Sequence, residues 1–109
     1  MVAVTVVKSA NGCYKGFESK GHAGFDAYGK DIICAAASVL IINTVNSIDT
    51  LTPTVVSVNA SPDGGQLTAV FPEGLEEKAQ VLLDAMVLGL MQIQDRYGKK
   101  YLSVKFKED

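Results

Sequence analysis

The sequence predicts a two-layer α+β domain, a mainly antiparallel sheet with two helices packed on one face, in the order β-β-α-β-β-α with a short C-terminal strand. Three observations carry that expectation. An alternating β-forming start runs into an Asn-Gly turn, two long apolar stretches repeat at helical spacing, and the order strand-strand-helix occurs twice. A chain of 109 residues is long enough to bury one core and too short for two, so residues 1–109 form a single domain.

Residues 2–8 hold Val2, Thr5 and Val7 among the β-formers, and Ser9-Ala10-Asn11-Gly12 supplies the turn that reverses them. The returning strand is expected from Cys13 to about His22, with a bend or bulge where Gly16 and Ser19 interrupt it. After a connection at 23–30, Asp31 caps a helix through Ile48, with Cys34, Ser38, Ile41, Val45 and Ile48 on one stripe. The first half of this helix is apolar all round and should be covered on more than one side. Pro53 ends it. Residues 54–60 and 66–71 flank Ser61-Pro62-Asp63-Gly64-Gly65 and read as a second hairpin. A second helix is expected from about Leu75 to Tyr97, with Glu76 and Glu77 at the positive end of its dipole. Its core stripe is Leu75, Ala79, Leu82, Met86, Ile93 and Tyr97, with Val87, Leu88 and Met91 as a second flank. Gly98 stops it, and residues 101–106 alternate as the last strand.

Composition narrows the function classes. With 48% hydrophobic and 20% charged residues the chain reads as a soluble globular protein. A net charge of -2 gives no electrostatic reason to expect nucleic acid or a membrane surface as partner. The start lacks the pattern of a secretory signal, and the apolar run from Ile32 to Ile42 is shorter than the ~20 residues that span a bilayer. A reducing, cytoplasmic setting follows, in which the two cysteines are free thiols. One histidine and two cysteines cannot build a four-ligand zinc site, and phosphate-loop, nucleophile-elbow and dinucleotide motifs are missing, so neither metal nor other cofactor is expected.

Nucleophile chemistry remains. His22 is the single histidine, and it can meet only one of the cysteines. Cys13 lies nine residues away, at the far end of the expected strand, about 30 Å from His22 and on the opposite face. Cys34 opens a helix that runs back along the sheet, so its first turn falls near the strand end that carries His22. Unpaired N–H groups and the helix dipole stabilise a thiolate there, and the N–H groups of residues 32–34 can hold an oxyanion. The plain alternative is a buried small hydrophobe in an alanine-rich helix. Asp31 either orients His22 or, as N-cap aspartates do, accepts the Cys34 backbone N–H. Ser38, one turn on, either bonds the sulfur or returns to a helical carbonyl. Gly24 and Gly29 bracket Phe25 and Tyr28 in a segment suited to closing over a peptide or to plain turns.

Gly21-His22-Ala23, a glycine-containing loop, and Gly29-x-Asp31-x-x-Cys34-Ala35-Ala36-x-Ser38 together resemble the signature of the ribosomal-processing cysteine protease family, Prp. The resemblance covers essentially the whole chain. It implies an endopeptidase that removes a short N-terminal extension from the twenty-seventh large-subunit ribosomal protein. Cys34 would be nucleophile and His22 base then acid, with Gly21, Asp31 and Ser38 in support and Gly24, Phe25, Tyr28 and Gly29 in a substrate loop. It also implies a homodimer, and substrates with aromatic and apolar residues before the cut. Two other readings of the same residues are a non-catalytic, ribosome-associated module that captures an extended peptide, and redox sensing through Cys34.

Overall fold

The computed structural model describes residues 1–21, 31–62 and 65–109, with only the backbone at Asp31. Seven elements follow one another: β1 (Val2–Lys8), β2 (Tyr14–Lys20), α1 (Asp31–Leu51), β3 (Ser57–Ala60), β4 (Gln66–Val70), α2 (Glu77–Tyr97) and β5 (Leu102–Glu108). The strands form one sheet in the order β3-β4-β2-β1-β5. The expected α+β architecture is the one observed.

The first hairpin forms where the sequence places it. Gly12 takes φ +86°, which glycine adopts without the penalty a Cβ would bring, and its N–H donates to the Ser9 carbonyl at 2.9 Å. β1 and β2 then pair antiparallel from Ala3↔Lys20 to Lys8↔Tyr14, with a shift between Val7 and Lys8 that leaves Lys15 as the extra residue. That is the expected bulge. β2 is shorter than predicted at both ends, because Cys13 belongs to the turn, its N–H close to Ser9 Oγ at 3.3 Å, and Gly21 turns out of the sheet at φ +90°. Within β2, Gly16 faces β4 so closely that a Cβ would come 2.5 Å from the Ala69 carbonyl oxygen.

β2 pairs with β4, and β4 with β3, both antiparallel. The last strand is longer than expected, and its direction was left open by the sequence. β5 runs seven residues and lies parallel to β1 from Val2↔Leu102 to Lys8↔Glu108, so the sheet is mixed although most of its pairings are antiparallel. Alternation alone does not encode direction. Here α2 packs on β5 and serves as the crossover that a parallel neighbour requires.

One face of the sheet supplies Val2, Val4, Val6, Phe17, Ala69 and Leu102 to the core, and both helices cover that face. α1 buries Ile33, Ala37, Ile41, Val45 and Ile48, while Cys34 is half-buried and Ser38 exposed. The predicted stripe is therefore one residue out of phase in the first half. With every position from 32 to 37 apolar, period alone could not choose the buried face. The helix also runs one turn beyond Ile48, to Leu51, before Thr52 bonds back to the Ile48 carbonyl through both its N–H and its hydroxyl, the latter at 2.7 Å. Ile32–Leu51 is thus long and apolar enough by length and composition to cross a membrane, contrary to the shorter span expected. Its buried stripe packs against the sheet as a core helix does.

α2 begins two residues later than predicted. Glu76 caps it, accepting from the Lys78 and Ala79 N–H groups at 3.1 and 3.2 Å, and leaves Leu75 outside the helix. Its core positions are Ala79, Leu83, Met86, Val87, Leu90 and Gln94; Leu82 and Ile93 are half-buried, and Tyr97 is exposed. The buried polar residue explains part of the change, since Gln94 Oε1 accepts the Val104 N–H of β5 at 2.7 Å. The two helices touch where Leu40 of α1 meets Gly89, whose Cβ position lies 3.0 Å from Leu40 Cδ1. On the far side of α1, Val39 is 65% and Ile42 50% exposed.

Tyr14 ties the start of β2 to α2 by donating its hydroxyl proton to Asp84 Oδ1 at 2.5 Å. Burial, then the hydrogen bond to Asp84 and its charge, push the phenol well above its ordinary value. Below the free phenol value of ~10 both folded and unfolded chains keep the proton, and stability from this site is complete. As pH rises past that value the unfolded chain ionises first, so stability falls. Urea midpoints measured from pH 9 to 11 are expected to drop more steeply in the native sequence than in Tyr14→Phe; parallel curves would contradict this assignment.

Candidate active site

β2 ends in a sheet edge gripped from both sides. Lys20 pairs with Ala3 of β1 and with Gln66 of β4, and one residue later the Gly21 N–H donates to the Gly65 carbonyl at 2.8 Å. The chain leaves the sheet at this point. Residues 21–30 alone separate β2 from α1, so the start of α1 is tied by a short connection to the end of β2. The other end of the same hairpin carries Cys13, which is exposed. Cys13 and Cys34 thus belong to different parts of the fold, a hairpin turn and a helix, and both are free thiols.

Cys34 is the fourth residue of α1 and stands in its first turn. It is half-buried, packed against the core on one side, between the buried Ile33 and the exposed Ala35. A fully buried thiol could reach no substrate, and a fully exposed one would lack an apolar wall. The first four N–H groups of a helix have no intrahelical acceptor, so residues 31–34 present donors at the same end as the sulfur. A developing negative charge beside that turn meets both those donors and the positive end of the dipole.

Asp31 is the first residue of α1, and its side chain lies outside the described atoms. Ser38 is exposed and shares a shallow depression on the outer side of α1 with Val39, Ile42, Asn43 and Asn46. His22, Gly24, Phe25, Tyr28 and Gly29 lie outside the described residues. A separate groove lined by Thr5, Val7, Gly16, Thr68 and Val70 occupies the sheet face opposite the helices, and so stands apart from Cys34.

Comparison with known proteins gives this arrangement its family. The sequence model of the cysteine protease Prp family matches residues 1–102. The chain belongs to that family. Among relatives similar to it is the ribosomal processing cysteine protease Prp of Bacillus subtilis, 31% identical over 101 residues that cover 89% of this chain and 90% of the relative. A ribosomal processing protease Prp from S. aureus, solved with a covalently linked product peptide, superimposes with a TM-score of 0.90 at 28% identity, covering 98% of this chain and all of the other. The S. aureus protease solved with a substrate peptide gives 0.88 at 27% identity, with 98% of this chain and 100% of that chain covered. Membership of the Prp family makes the chain a cysteine protease, with a fold whose solved relatives hold peptide.

Two contributors to this end of the molecule escape sequence reading. Gly65 was legible only as part of a turn, and nothing in the sequence marked Met1, yet both supply backbone carbonyls that close around Gly21. Backbone partners leave no side-chain motif. The positive φ of Gly21 is the one trace such a contact leaves, and a glycine beside a histidine is where it shows.

Proposed function

We propose that this protein is a ribosomal-processing endopeptidase that removes the short N-terminal extension of the twenty-seventh large-subunit ribosomal protein, with Cys34 and His22 as a catalytic dyad. The observation that carries the reading is a half-buried cysteine in the first turn of α1, in a chain of the cysteine protease Prp family. Relatives that share its whole length are named as ribosomal processing proteases, which supports the substrate class.

In this mechanism His22 takes the Cys34 proton, and the thiolate sulfur forms a bond to the scissile carbonyl carbon. The carbonyl oxygen becomes an oxyanion held by N–H groups of the first turn of α1. Collapse of that intermediate breaks the C–N bond, and the imidazolium gives its proton to the leaving amine. Water, deprotonated by His22, then attacks the thioester and releases the extension as a free acid, returning the thiol. No metal or cofactor takes part. Asp31 caps the helix or orients His22; Ser38 follows the nucleophile by one turn; Gly24, Phe25, Tyr28 and Gly29 form the segment that meets substrate. Ile32, 63% exposed beside Cys34, provides apolar surface for side chains preceding the cut.

The enzyme acts in the cytoplasm, where the precursor is made, as a homodimer. The exposed Val39 and Ile42 of α1 and Leu88 of α2, at 65%, 50% and 60% exposure, favour a covering partner, because such groups cost about 25 cal/mol per Å2 left in water. Sedimentation velocity is expected to show a dimer for the native chain and a folded monomer for Ile42→Asp; an unchanged dimer would remove this face from the interface. The reaction itself is tested by incubating the enzyme with the extended ribosomal protein and weighing the product. Loss of the N-terminal extension is expected, and an intact precursor would contradict the proposal.

A further inference from the structure

We infer that the open face of the sheet is a docking surface for the phosphate backbone of folded RNA, an inference that takes its choice of polyanion from the proposed ribosomal substrate and uses no residue of the cleavage site. The net charge of -2 conceals how the charge is distributed. β1, β2 and the chain from Gly98 to Asp109 together carry seven lysines against three carboxylates, those of Glu18, Glu108 and Asp109. α1, α2 and the connection at 71–76 carry seven carboxylates against Lys78 and Arg96. The sheet layer is therefore positive and the helix layer negative. A sum over the whole chain cancels the two, which is why net charge alone offers no reason to expect nucleic acid.

The core side of the sheet takes Val2, Val4 and Val6 of β1, so Ala3, Thr5 and Val7 mark the open side. Register sets Lys105 and Glu18 beside Thr5, Lys107 and Gly16 beside Val7, and Lys20 beside Ala3. Lys105 and Lys107 stand about 7 Å apart along the edge strand. Both are exposed, and among the described residues neither makes an ion pair. The carboxylates on this side are already engaged: Glu18 lies 3.6 Å from Lys20 Nζ and accepts from Gln66 Nε2 at 3.0 Å, and Asp109 accepts from Lys15 Nζ at 3.1 Å. Between the lysines runs the groove that Gly16 leaves free of side chain, with Thr5 and Thr68 along it and Lys15 and Lys107 at its rim. Threonine hydroxyls in such a place donate to phosphate and 2′-hydroxyl oxygens. None of the strand residues on this face is aromatic, so it presents neither a stacking platform for single-stranded bases nor the apolar anchors with which a protein enters a lipid surface. A rigid, regularly charged phosphate backbone is what the face complements. The proposed substrate is a component of an RNA-based particle, which favours RNA over an acidic protein as that polyanion. Cys34 belongs to the opposite layer, so a chain docked through its sheet leaves the helix side clear.

The test measures binding of a fluorescein-labelled RNA duplex of about 20 base pairs by anisotropy, in KCl from about 50 to 200 mM. The native chain is expected to bind, with the logarithm of the association constant falling against that of the salt concentration at a slope of about -3. Lys105→Glu/Lys107→Glu is expected to weaken binding about 100-fold or more at the low-salt end and to flatten the slope to about -1. Its cleavage of the isolated precursor is expected to stay within about twofold of native, since neither lysine belongs to the cleavage site. Lys107→Gln, which removes one charge and creates none, is expected to weaken binding about tenfold and serves as the reading if charge reversal disturbs the fold. Lys78→Glu, a reversal in the helix layer, is expected to keep affinity within about twofold. Absence of duplex binding at about 50 mM KCl, native affinity in Lys107→Gln, or an equal loss in Lys78→Glu would overturn the inference. So would tighter binding to phosphatidylserine vesicles or to polyglutamate than to the duplex. A native chain that binds the duplex but leaves the precursor uncut would end the cleavage proposal and leave the docking surface standing.

Discussion

Replacing Cys34 with serine is expected to abolish processing, lowering kcat by about 10^3-fold or more while leaving capture of the precursor intact. The change keeps the size of the side chain and exchanges a sulfur that ionises readily for a hydroxyl that does not. The thiolate is the attacking species, and the N–H donors of α1 stabilise it only once it exists. Because Cys34 is half-buried and borders the core without filling its centre, the fold should survive. Turnover on the extended ribosomal protein, followed by mass spectrometry, and affinity for the same protein, followed by calorimetry, separate the two effects. A serine variant that still cleaves at the native rate would exclude Cys34 as nucleophile. Cys13→Ser serves as the internal comparison: Cys13 sits exposed in the β1–β2 turn and is expected to be dispensable for turnover.

The largest loss of stability is expected at Phe17. Its side chain is 1% exposed at the centre of the sheet, where Phe17 pairs with Val6 and Ala69, both fully buried on the same face. Truncation to alanine removes the ring and leaves a cavity that the surrounding strands, fixed by hydrogen bonds on both sides, cannot close. A cost of about 3–5 kcal/mol follows, a large share of the roughly 5–15 kcal/mol that holds a domain of this size folded. Phe106 on β5 is 49% exposed, its ring beneath the Lys8 ammonium at 5.3 Å, and its truncation is expected to cost under about 1 kcal/mol. Urea unfolding followed by circular dichroism measures both. Equal losses at the two positions would show that the core is not where the sheet and helices place it.

The contrast between the two phenylalanines also shows what the sequence could and could not convey. Element order was legible because each strand or helix is bounded by a local signal: Asn11-Gly12, Pro53, Ser61-Pro62 and Gly98 each end an element near where the structure ends it. Direction and phase were not. β5 alternates in the same way whether it pairs parallel or antiparallel, and only the packing of α2 on it decides. In α1 the unbroken apolar start hid which face turns inward, and Ile33 and Ala37 took the places expected for Cys34 and Ser38. That shift turns Cys34 from the middle of the buried stripe to its border, where it is half-buried. Gln94, polar by composition, became a core residue because an unpaired N–H on Val104 needed an acceptor.

The candidate site divides in the same way. The choice of Cys34 over Cys13 followed from strand length and helix polarity, which are local properties; in the structure Cys13 lies in the β1–β2 turn and Cys34 in the first turn of α1. The backbone carbonyls around Gly21 depend on residues 1, 21 and 65 meeting in space, which no local pattern announces.

The most direct test of the account uses the N-terminal extension peptide carrying a C-terminal chloromethyl ketone in place of the scissile bond. A thiolate displaces the chloride and remains joined to the peptide by a stable thioether. Intact-mass analysis followed by peptide mapping is predicted to find one adduct, on Cys34, formed rapidly in the native enzyme and slowly in His22→Ala. Modification of Cys13 instead, or labelling of Cys34 at an equal rate without His22, would contradict it.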